Sequence, residues 1–339
     1  MSASTERRIG VFTLGGTIAM LPGPKGAAPA LGGAELLEAI GGAIGDLAVT
    51  ATDVAAVPSA HLASRTVWRL GDQLARATAE QGLAGVVVTS GTDTLEEVAF
   101  LLDLLWRRPE PVVVTGGMRH PGLPGADGPA NLRAAVVVAA DPGARGLGVM
   151  VVLDDEVHAA RCVTKTSTHR PSAFRSVPGS LGWVVEDRLR LVLRPAGRPR
   201  VPPPQVDAAP RVALLTHALG DDGSAVRAVL ASGVDGLVYE ASGGGHVGPT
   251  VADALASAAA QVPVALASRT GGGPVLERTY DYIGSEQDLV RRGLLGAAWL
   301  PGRKARLLLE VLLAAGIQGE RLRALLADPF GDEEPVPAP

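Results

Sequence analysis

The chain has 339 residues, 47% of them hydrophobic, which is enough for two domains with cores of their own. Its net charge of -4, with Lys and Arg scattered along the sequence, offers no basic surface for nucleic acid. The single cysteine, Cys162, excludes an intrachain disulfide, and no Cys/His group has the spacing of a zinc site. These features favour a small-molecule partner and no metal.

In the first half of the chain, short apolar runs alternate with helical patterns. The runs predict buried strands over residues 9–13, 85–89, 111–115 and 146–153. The helical spacing predicts helices over residues 34–40, 66–80, 94–106 and 129–140. Strands that alternate with helices imply right-handed crossovers and a mostly parallel sheet. We therefore predict a larger, doubly wound α/β catalytic domain over residues 1–195.

A proline-rich segment, PAGRPRVPPPQVDAAP, separates this domain from a second one. Its prolines hold the chain extended, which predicts a linker over residues 196–210. Beyond it, strands near 211–216, 236–240 and 263–268 and helices near 224–232, 250–260 and 304–314 predict a smaller α/β domain over 211–328. The polar, proline-rich end predicts a flexible tail over 329–339.

The ends of the chain and its apolar runs bear on location. Residues 1–10 carry charges and lack the apolar run of a signal peptide. No apolar stretch reaches the roughly 18 residues expected of a membrane-spanning helix. We expect a cytoplasmic protein that does not contact the membrane.

Three segments contain residues suited to chemistry. The first, TLGGTIA over residues 13–19, follows a predicted strand with a Gly-Gly turn that presents the Thr17 hydroxyl. It matches neither GxGxxG nor GxxxxGK[ST], and a plain tight turn is the alternative interpretation.

The second segment, TSGTDTLEE over residues 89–97, marks the passage from a buried strand to a helix. Ligands of open α/β sheets bind at this edge, and the free amides of a helix start favour a carboxylate. A structural alternative is that Thr92 or Asp93 caps the helix, with Glu96 or Glu97 completing a capping box.

The third segment, RCVTKTST over residues 161–168, places Lys165 among hydroxyl residues. If it folds beside Asp93, Lys165 can exchange protons with a threonine hydroxyl. An ordinary surface lysine is the alternative interpretation.

Together these segments resemble the bacterial-type L-asparaginases, whose signatures are similar to TLGGTIA and TSGTDTLEE. The resemblance continues in the family's order through VTGGMR (114–119), ADGPANL (126–132), VTKT (163–166) and the helix that carries Lys304. Because the ordered set covers nearly the whole chain, the protein is identified as a member of the asparaginase/glutaminase family.

The resemblance implies that Thr17 attacks the side-chain amide carbon, releases ammonia and leaves an acyl-enzyme that water hydrolyses. It also implies that Thr92, Asp93 and Lys165 relay a proton and that no cofactor takes part. The substrate-binding residues it implies are Gly16, Ser59, Gly91, Thr92 and Asp93. Among them, Ser59 binds the α-carboxylate and Asp93 holds the α-amino group.

The chain departs from the family in the loop that follows the nucleophile. Many relatives place there a tyrosine that hydrogen-bonds the threonine, whereas the tyrosines of this chain are Tyr239, Tyr280 and Tyr282. The segment 20–33 is rich in Gly, Pro and Ala, which predicts a hinged loop without a phenol. We hypothesise that Thr13, Lys165 or a tyrosine from the segment with Tyr280 and Tyr282 substitutes.

A second departure concerns the loop ASGGGH over residues 241–246. The resemblance implies that the C-terminal domain of a neighbouring subunit completes the site, and that relatives carry asparagine where Gly244 stands. Recognition of the substrate's amino end then falls on Asp93, Ser242 or Glu277. We expect His246 to be structural.

The resemblance predicts hydrolysis of L-asparagine to L-aspartate, with L-glutamine a weaker substrate, by a homodimer or a tetramer built from dimers. One alternative of the same fold is the amidotransferase subunit that supplies ammonia for tRNA-bound glutamate, which carries an extra N-terminal domain. Another is an amino-acid sensor that has lost the loop tyrosine. The intact set of Thr17, Thr92, Asp93 and Lys165 favours the enzyme.

Overall fold

A computed structural model describes residues 7–41, 44–197, 199, 201–205 and 209–331. The chain forms two compact units, Met1–Pro195 and Ala196–Pro339. Each contains a mostly or wholly parallel sheet covered by helices, which confirms the predicted α/β class with a larger first and a smaller second domain. No helix within the described residues combines the length and apolarity that crossing a bilayer requires.

The first unit contains twelve of the strands assigned within the described residues. In chain order they are β1 (Arg7–Thr13), β2 (Met20–Gly23), β3 (Gly26–Pro29), β4 (Leu47–Asp53), β5 (Gly85–Thr89), β6 (Val112–Thr115), β7 (Val149–Leu153), β8 (Glu156–Ala159), β9 (Val163–Lys165), β10 (Phe174–Ser176), β11 (Gly182–Val185) and β12 (Arg188–Leu191). The α-helices are α1 (Gly33–Ala39), α2 (Ser64–Gln81), α3 (Leu95–Leu105) and α4 (Gly128–Ala140), and 3-10 helices span Thr17–Ala19, Ser59–His61 and Pro142–Ala144.

The main sheet has the strand order β12-β11-β8-β7-β6-β5-β1-β4. Strands β4, β1, β5, β6 and β7 run parallel, and β8, β11 and β12 are antiparallel additions. The valine-rich strands β5, β6 and β7 are fully buried, as expected for a sheet with helices on both faces.

The register of the central strands aligns their carboxyl ends. Thr13 pairs with Thr89, and Thr89 pairs with Thr115. The segments that follow β1, β5 and β6 therefore leave the sheet at one edge, where ligands of open α/β sheets bind.

Two antiparallel ribbons lie outside the main sheet. Strands β2 and β3 pair antiparallel, with Met20 opposite Pro29 at one end and Gly23 opposite Gly26 at the other. The loop predicted over 20–33 is therefore a β-hairpin over most of its length. Its Gly, Pro and Ala residues lack the alternation that would have marked strands. The second ribbon, β9 with β10, places Lys165 opposite Phe174.

The second unit is built on a parallel sheet with the order β13-β14-β15-β16. Its strands are β13 (Val212–Thr216), β14 (Gly236–Ala241), β15 (Val264–Ser268) and β16 (Leu295–Gly296), and its helices are α5 (Ser224–Ala231), α6 (Pro249–Ala259), α7 (Glu286–Arg291), α8 (Gly302–Ala314) and α9 (Gly319–Ala327). The buried core includes Tyr239, Leu255, Leu266 and Leu289.

Packing in this unit reaches beyond α9. Phe330 is 8% exposed and its ring lies 5.9 Å from that of Trp299, although a flexible tail is predicted from residue 329. Residues 332–339 of that tail lie outside the described residues, as do positions 198, 200 and 206–208 of the predicted linker. The described residues of 196–210 form no helix or strand, but Val201 is buried.

Candidate active site

The turn after β1 carries Thr17 to the carboxyl edge of the sheet. Gly15 and Gly16 have φ of 92° and 89°, a region that favours glycine. A Cβ added to Gly16 would lie 2.2 Å from the backbone nitrogen of Gly91, so the two loops touch backbone to backbone. Thr17 is half-buried, and no described residue hydrogen-bonds its hydroxyl.

The Thr13 hydroxyl makes a hydrogen bond outside the Thr17 turn. Its hydroxyl donates to Asp53 Oδ1 over 2.6 Å, and the same oxygen accepts the Gly33 N–H at 2.8 Å. These bonds join β1 to the end of β4 and to the start of α1. The Thr13 proton is thus engaged away from Thr17.

The loop after β5 carries Thr92 and Asp93. The residue that precedes α3 is Thr94, so the interpretation of Thr92 or Asp93 as the helix cap is wrong. The Thr94 hydroxyl donates instead to the carbonyl oxygen of Ser59 at 2.9 Å. This contact from a segment 35 residues away fixes the helix start and leaves Thr92 and Asp93 in the preceding turn.

Lys165 joins the two residues of that turn. Its ammonium nitrogen donates to Thr92 Oγ1 at 2.9 Å and to Asp93 Oδ1 at 2.7 Å. The Lys165 side chain is 14% exposed and that of Asp93 74%, so a largely covered cation meets a carboxylate open to solvent. Lys165 is therefore not an ordinary surface lysine, and its contacts form a chain of groups that can pass a proton.

Ser59 forms the wall beside the two glycines. It is 3% exposed, and its Oγ accepts the Thr94 N–H at 3.4 Å. A Cβ on Gly91 would lie 2.8 Å from this Oγ, just as one on Gly16 would meet Gly91. The structure thus brings Gly16, Gly91 and Ser59 into one contiguous surface next to Thr17 and Thr92.

Asp127 and Asn131 shape the neighbouring turn, a role that the sequence did not reveal. The Asp127 carboxylate accepts the N–H groups of Met118 at 2.9 Å and Arg119 at 2.8 Å. The Asn131 amide nitrogen donates to Asp127 Oδ2 and to the Gly116 carbonyl oxygen. The only sequence signal for this role was the place of both residues in ADGPANL.

The same motif packs against the helix that starts at Thr17. A Cβ on Gly128 would lie 2.7 Å from Cγ1 of Ile18, so α4 begins in contact with the residue after Thr17. Ile18 is 1% exposed. The motif therefore supports the Thr17 turn from the side opposite solvent.

In the second unit, Ser242, Gly244 and Glu277 lie around the loop after β14. Ser242 and His246 exchange backbone hydrogen bonds of 3.0 and 2.9 Å, which close this loop. A Cβ on Gly244 would lie 2.5 Å from Cδ1 of Leu276, and the Leu276 N–H donates to the Gly244 carbonyl oxygen at 2.8 Å. Glu277 is exposed.

Tyr280 and Tyr282 surround His246 in the same unit. Their ring centroids lie 4.9 and 5.7 Å from that of His246, and the two tyrosines are 45% and 49% exposed. Glu286, fully buried, accepts the N–H groups of Thr279 and Tyr280 and lies 3.1 Å from His246 Nε2. Although burial alone opposes ionisation, these hydrogen bonds hold the pKa of Glu286 below its usual value. His246 is thus part of the packing that carries the tyrosine segment.

Comparison with known proteins identifies the family of both halves of the chain. The model of the asparaginase N-terminal family matches residues 8–196, and that of the glutaminase/asparaginase C-terminal domain matches residues 211–326. The chain is 34% identical to an L-asparaginase of Bacillus licheniformis, over 93% of this chain and 98% of that protein. It is 36% identical to a probable L-asparaginase of Deinococcus radiodurans, over 93% and 96%.

A solved structure is similar over the same extent. The crystal structure of a probable cytoplasmic L-asparaginase from Campylobacter jejuni matches with a TM-score of 0.84 and 30% identity, covering 94% of this chain and 99% of that one. Both halves of the chain are thus matched by family models, and relatives match it over nearly their full length. This chain belongs to the asparaginase family.

Proposed function

We propose that the protein hydrolyses the side-chain amide of L-asparagine to L-aspartate and ammonia, with Thr17 as a covalent nucleophile. The observation that carries the proposal is the bonding of Lys165 to both Thr92 and Asp93, at 2.9 and 2.7 Å, in a loop whose Gly91 touches Gly16. The nucleophile turn and the proton-carrying residues thereby belong to one surface.

The first half-reaction forms an ester. Thr17 Oγ attacks the amide carbon, the C–N bond breaks, and the hydroxyl proton replaces the bond lost by the leaving nitrogen, so that ammonia departs. That proton moves as a relay: because the Thr92 oxygen accepts a hydrogen bond from Lys165, Thr92 passes its own proton to the leaving nitrogen and takes one from Lys165, and the proton that leaves the Thr17 hydroxyl restores Lys165, so that one proton is transferred in all. Water then attacks the ester carbon, which releases aspartate and restores the Thr17 hydroxyl.

Activation of Thr17 is assigned to Lys165 or to a tyrosine of the segment with Tyr280 and Tyr282. Thr13 is the weaker choice, since its hydroxyl is bonded to Asp53. Ser59 and the backbone around Gly91 are proposed to bind the substrate carboxylate, and Asp93 its amino group. We further propose that the protein is a cytoplasmic homodimer or a tetramer built from dimers. Light scattering of the purified protein would measure the number of subunits.

Ammonia release from L-asparagine and L-glutamine by the wild type and by Thr17→Val tests the proposal. Valine keeps the branched shape of threonine and removes the hydroxyl, so we expect turnover to fall by at least about 1000-fold while the fold persists. Glutamine should react more slowly, by about 10- to 200-fold, because one methylene in a pocket is worth about 1 to 3 kcal/mol.

Trapping the intermediate adds a second criterion. Acid quenching during turnover should show a wild-type mass increased by one aspartyl group, absent from Thr17→Val. Full activity of Thr17→Val would exclude the threonine mechanism. A wild type that binds asparagine in calorimetry but releases no ammonia would instead favour the amino-acid sensor.

A further inference from the structure

Lys165 lies on a short two-stranded ribbon that other parts of the fold must stabilise. Strands β9 and β10 pair over only three residues each, with Lys165 opposite Phe174 at one end and Val163 opposite Ser176 at the other. Two-stranded ribbons are marginally stable at best in water, and one this short depends on anchors to the rest of the fold. At its loop end the Thr166 N–H donates to the Ala173 carbonyl oxygen at 2.7 Å.

His158 anchors the other end of this ribbon. It lies on β8 opposite Val151 of β7, so its backbone is part of the main sheet. Its side chain is 1% exposed, and its Nδ1 lies 3.0 Å from Oγ of Ser176, the last residue of β10. This hydrogen bond ties the ribbon to the main sheet through a buried imidazole and a half-buried hydroxyl.

The surroundings of His158 keep its ring neutral. Burial, followed by the charge of Arg175, lowers the pKa of His158 from 6.5 to about 4. Glu156, whose carboxylate is 3.5 Å from His158 Nε2, is itself 3.9 Å from Arg175. A neutral imidazole near pH 7 has one donor and one acceptor nitrogen, which suits a hydroxyl partner such as Ser176.

We propose that His158 is a positioning residue for Lys165: its bond to Ser176 holds β10 in place, and β10 in turn holds β9 and the Lys165 ammonium at Thr92 and Asp93. The inference rests on the proposed function of Lys165. Displacement of a proton-transferring group by about 1 Å can lower the rate about 100-fold. The hydrogen bond between His158 and Ser176 can therefore affect turnover although neither residue touches the substrate.

The test compares His158→Leu, which removes the hydrogen bond at similar volume, with Ser176→Ala, which removes it from the other side. We expect each to lower kcat by about tenfold or more and to change KM by less than about twofold. His158→Asn, whose side-chain amide places a polar atom near the position of Nδ1, should recover most of kcat. His169→Leu, a change of an exposed histidine in the loop between β9 and β10, should leave kcat unchanged.

Hydrogen exchange supplies a readout that does not depend on activity. Amides of segment 163–177 should exchange at least about tenfold faster in His158→Leu and Ser176→Ala, with β5 and β6 unchanged. The proposal is overturned if both variants keep the wild-type kcat, whether or not they lose stability. A wild type that releases no ammonia would overturn the proposed function instead, and the exchange rates would still decide whether His158 anchors the ribbon.

Discussion

Replacing Lys165 with Met should separate catalysis from stability. Methionine has a similar length and keeps the apolar stem, but it removes the ammonium that donates to Thr92 and Asp93. The ion pair with Asp93 contributes little to folding, since the Asp93 side chain is 74% exposed and such pairs are worth about 0 to 1 kcal/mol. Loss of the bond to the buried Thr92 hydroxyl adds about 1 kcal/mol.

The expected effect on turnover is larger. General acid-base groups contribute about 100- to 10,000-fold, which corresponds to about 3 to 5 kcal/mol of barrier. Lys165→Met should therefore lower kcat by at least about 100-fold and destabilise the fold by less than about 2 kcal/mol. Ammonia release and urea unfolding of the same preparation measure the two quantities.

Arg133→Met serves as the matched control. It also removes one cation of an ion pair, with Asp187, whose side chains are 36% and 53% exposed. It should cost at most about 1 kcal/mol and leave turnover unchanged. If Lys165→Met retained kcat within about threefold, or if Arg133→Met lost as much, Lys165 would not be the proton carrier.

Three further predictions follow from packing, titration and the aromatic cluster. Gly16→Ala places a Cβ 2.2 Å from a backbone nitrogen at a φ of +89°, and it should lower the free energy of unfolding by at least about 3 kcal/mol. Its control, Gly146→Ala, has a φ of +76° but open space around the added Cβ, and it should lower that free energy by only about 1 to 2 kcal/mol. The pKa of His158 falls from 6.5 to about 4 on folding, so the unfolded chain binds a proton at a higher pH than the folded chain does. The free energy of unfolding of the wild type should therefore fall by about 2 kcal/mol between pH 7 and pH 5, relative to that of His158→Leu. Urea titrations at the two pH values measure this difference. If a phenol rather than Lys165 activates Thr17, a double change of Tyr280 and Tyr282 to Phe lowers ammonia release at least about tenfold. Wild-type turnover in that variant would remove both phenols from the mechanism and leave Lys165.

The sequence predicted the elements whose patterns are local. The valine runs of β5 and β6 are apolar because both faces of those strands are covered, so they are visible without tertiary information. The segment around Thr92 was recognised by its place after such a strand. Its exact helix start was missed because Thr94 is fixed by Ser59, which is 35 residues away.

The elements that the sequence did not predict depend on distant contacts. Strands β9 and β10 are too short for periodicity to show, and their stability depends on partners such as His158. The hairpin of β2 and β3 contains Pro22, which reads as a strand breaker, yet an isolated two-stranded ribbon leaves room for it at an unpaired edge. Local pattern therefore sufficed for the central strands β1, β5, β6 and β7, but not for the outer strands β4, β8, β11 and β12 of the main sheet or for the ribbon that carries Lys165.

Packing within the second unit leaves little room for a side chain at position 244. A Cβ on Gly244 would lie 2.5 Å from Leu276, so a larger side chain there requires Leu276 to move. We infer that the amino end of the substrate is bound mainly by Asp93. Its Oδ1 is taken by Lys165, whereas Oδ2 makes no hydrogen bond to any described residue and its side chain is 74% exposed. One carboxylate can thus fix Lys165 with one oxygen and receive an ammonium group with the other, which couples substrate recognition to the proton carrier.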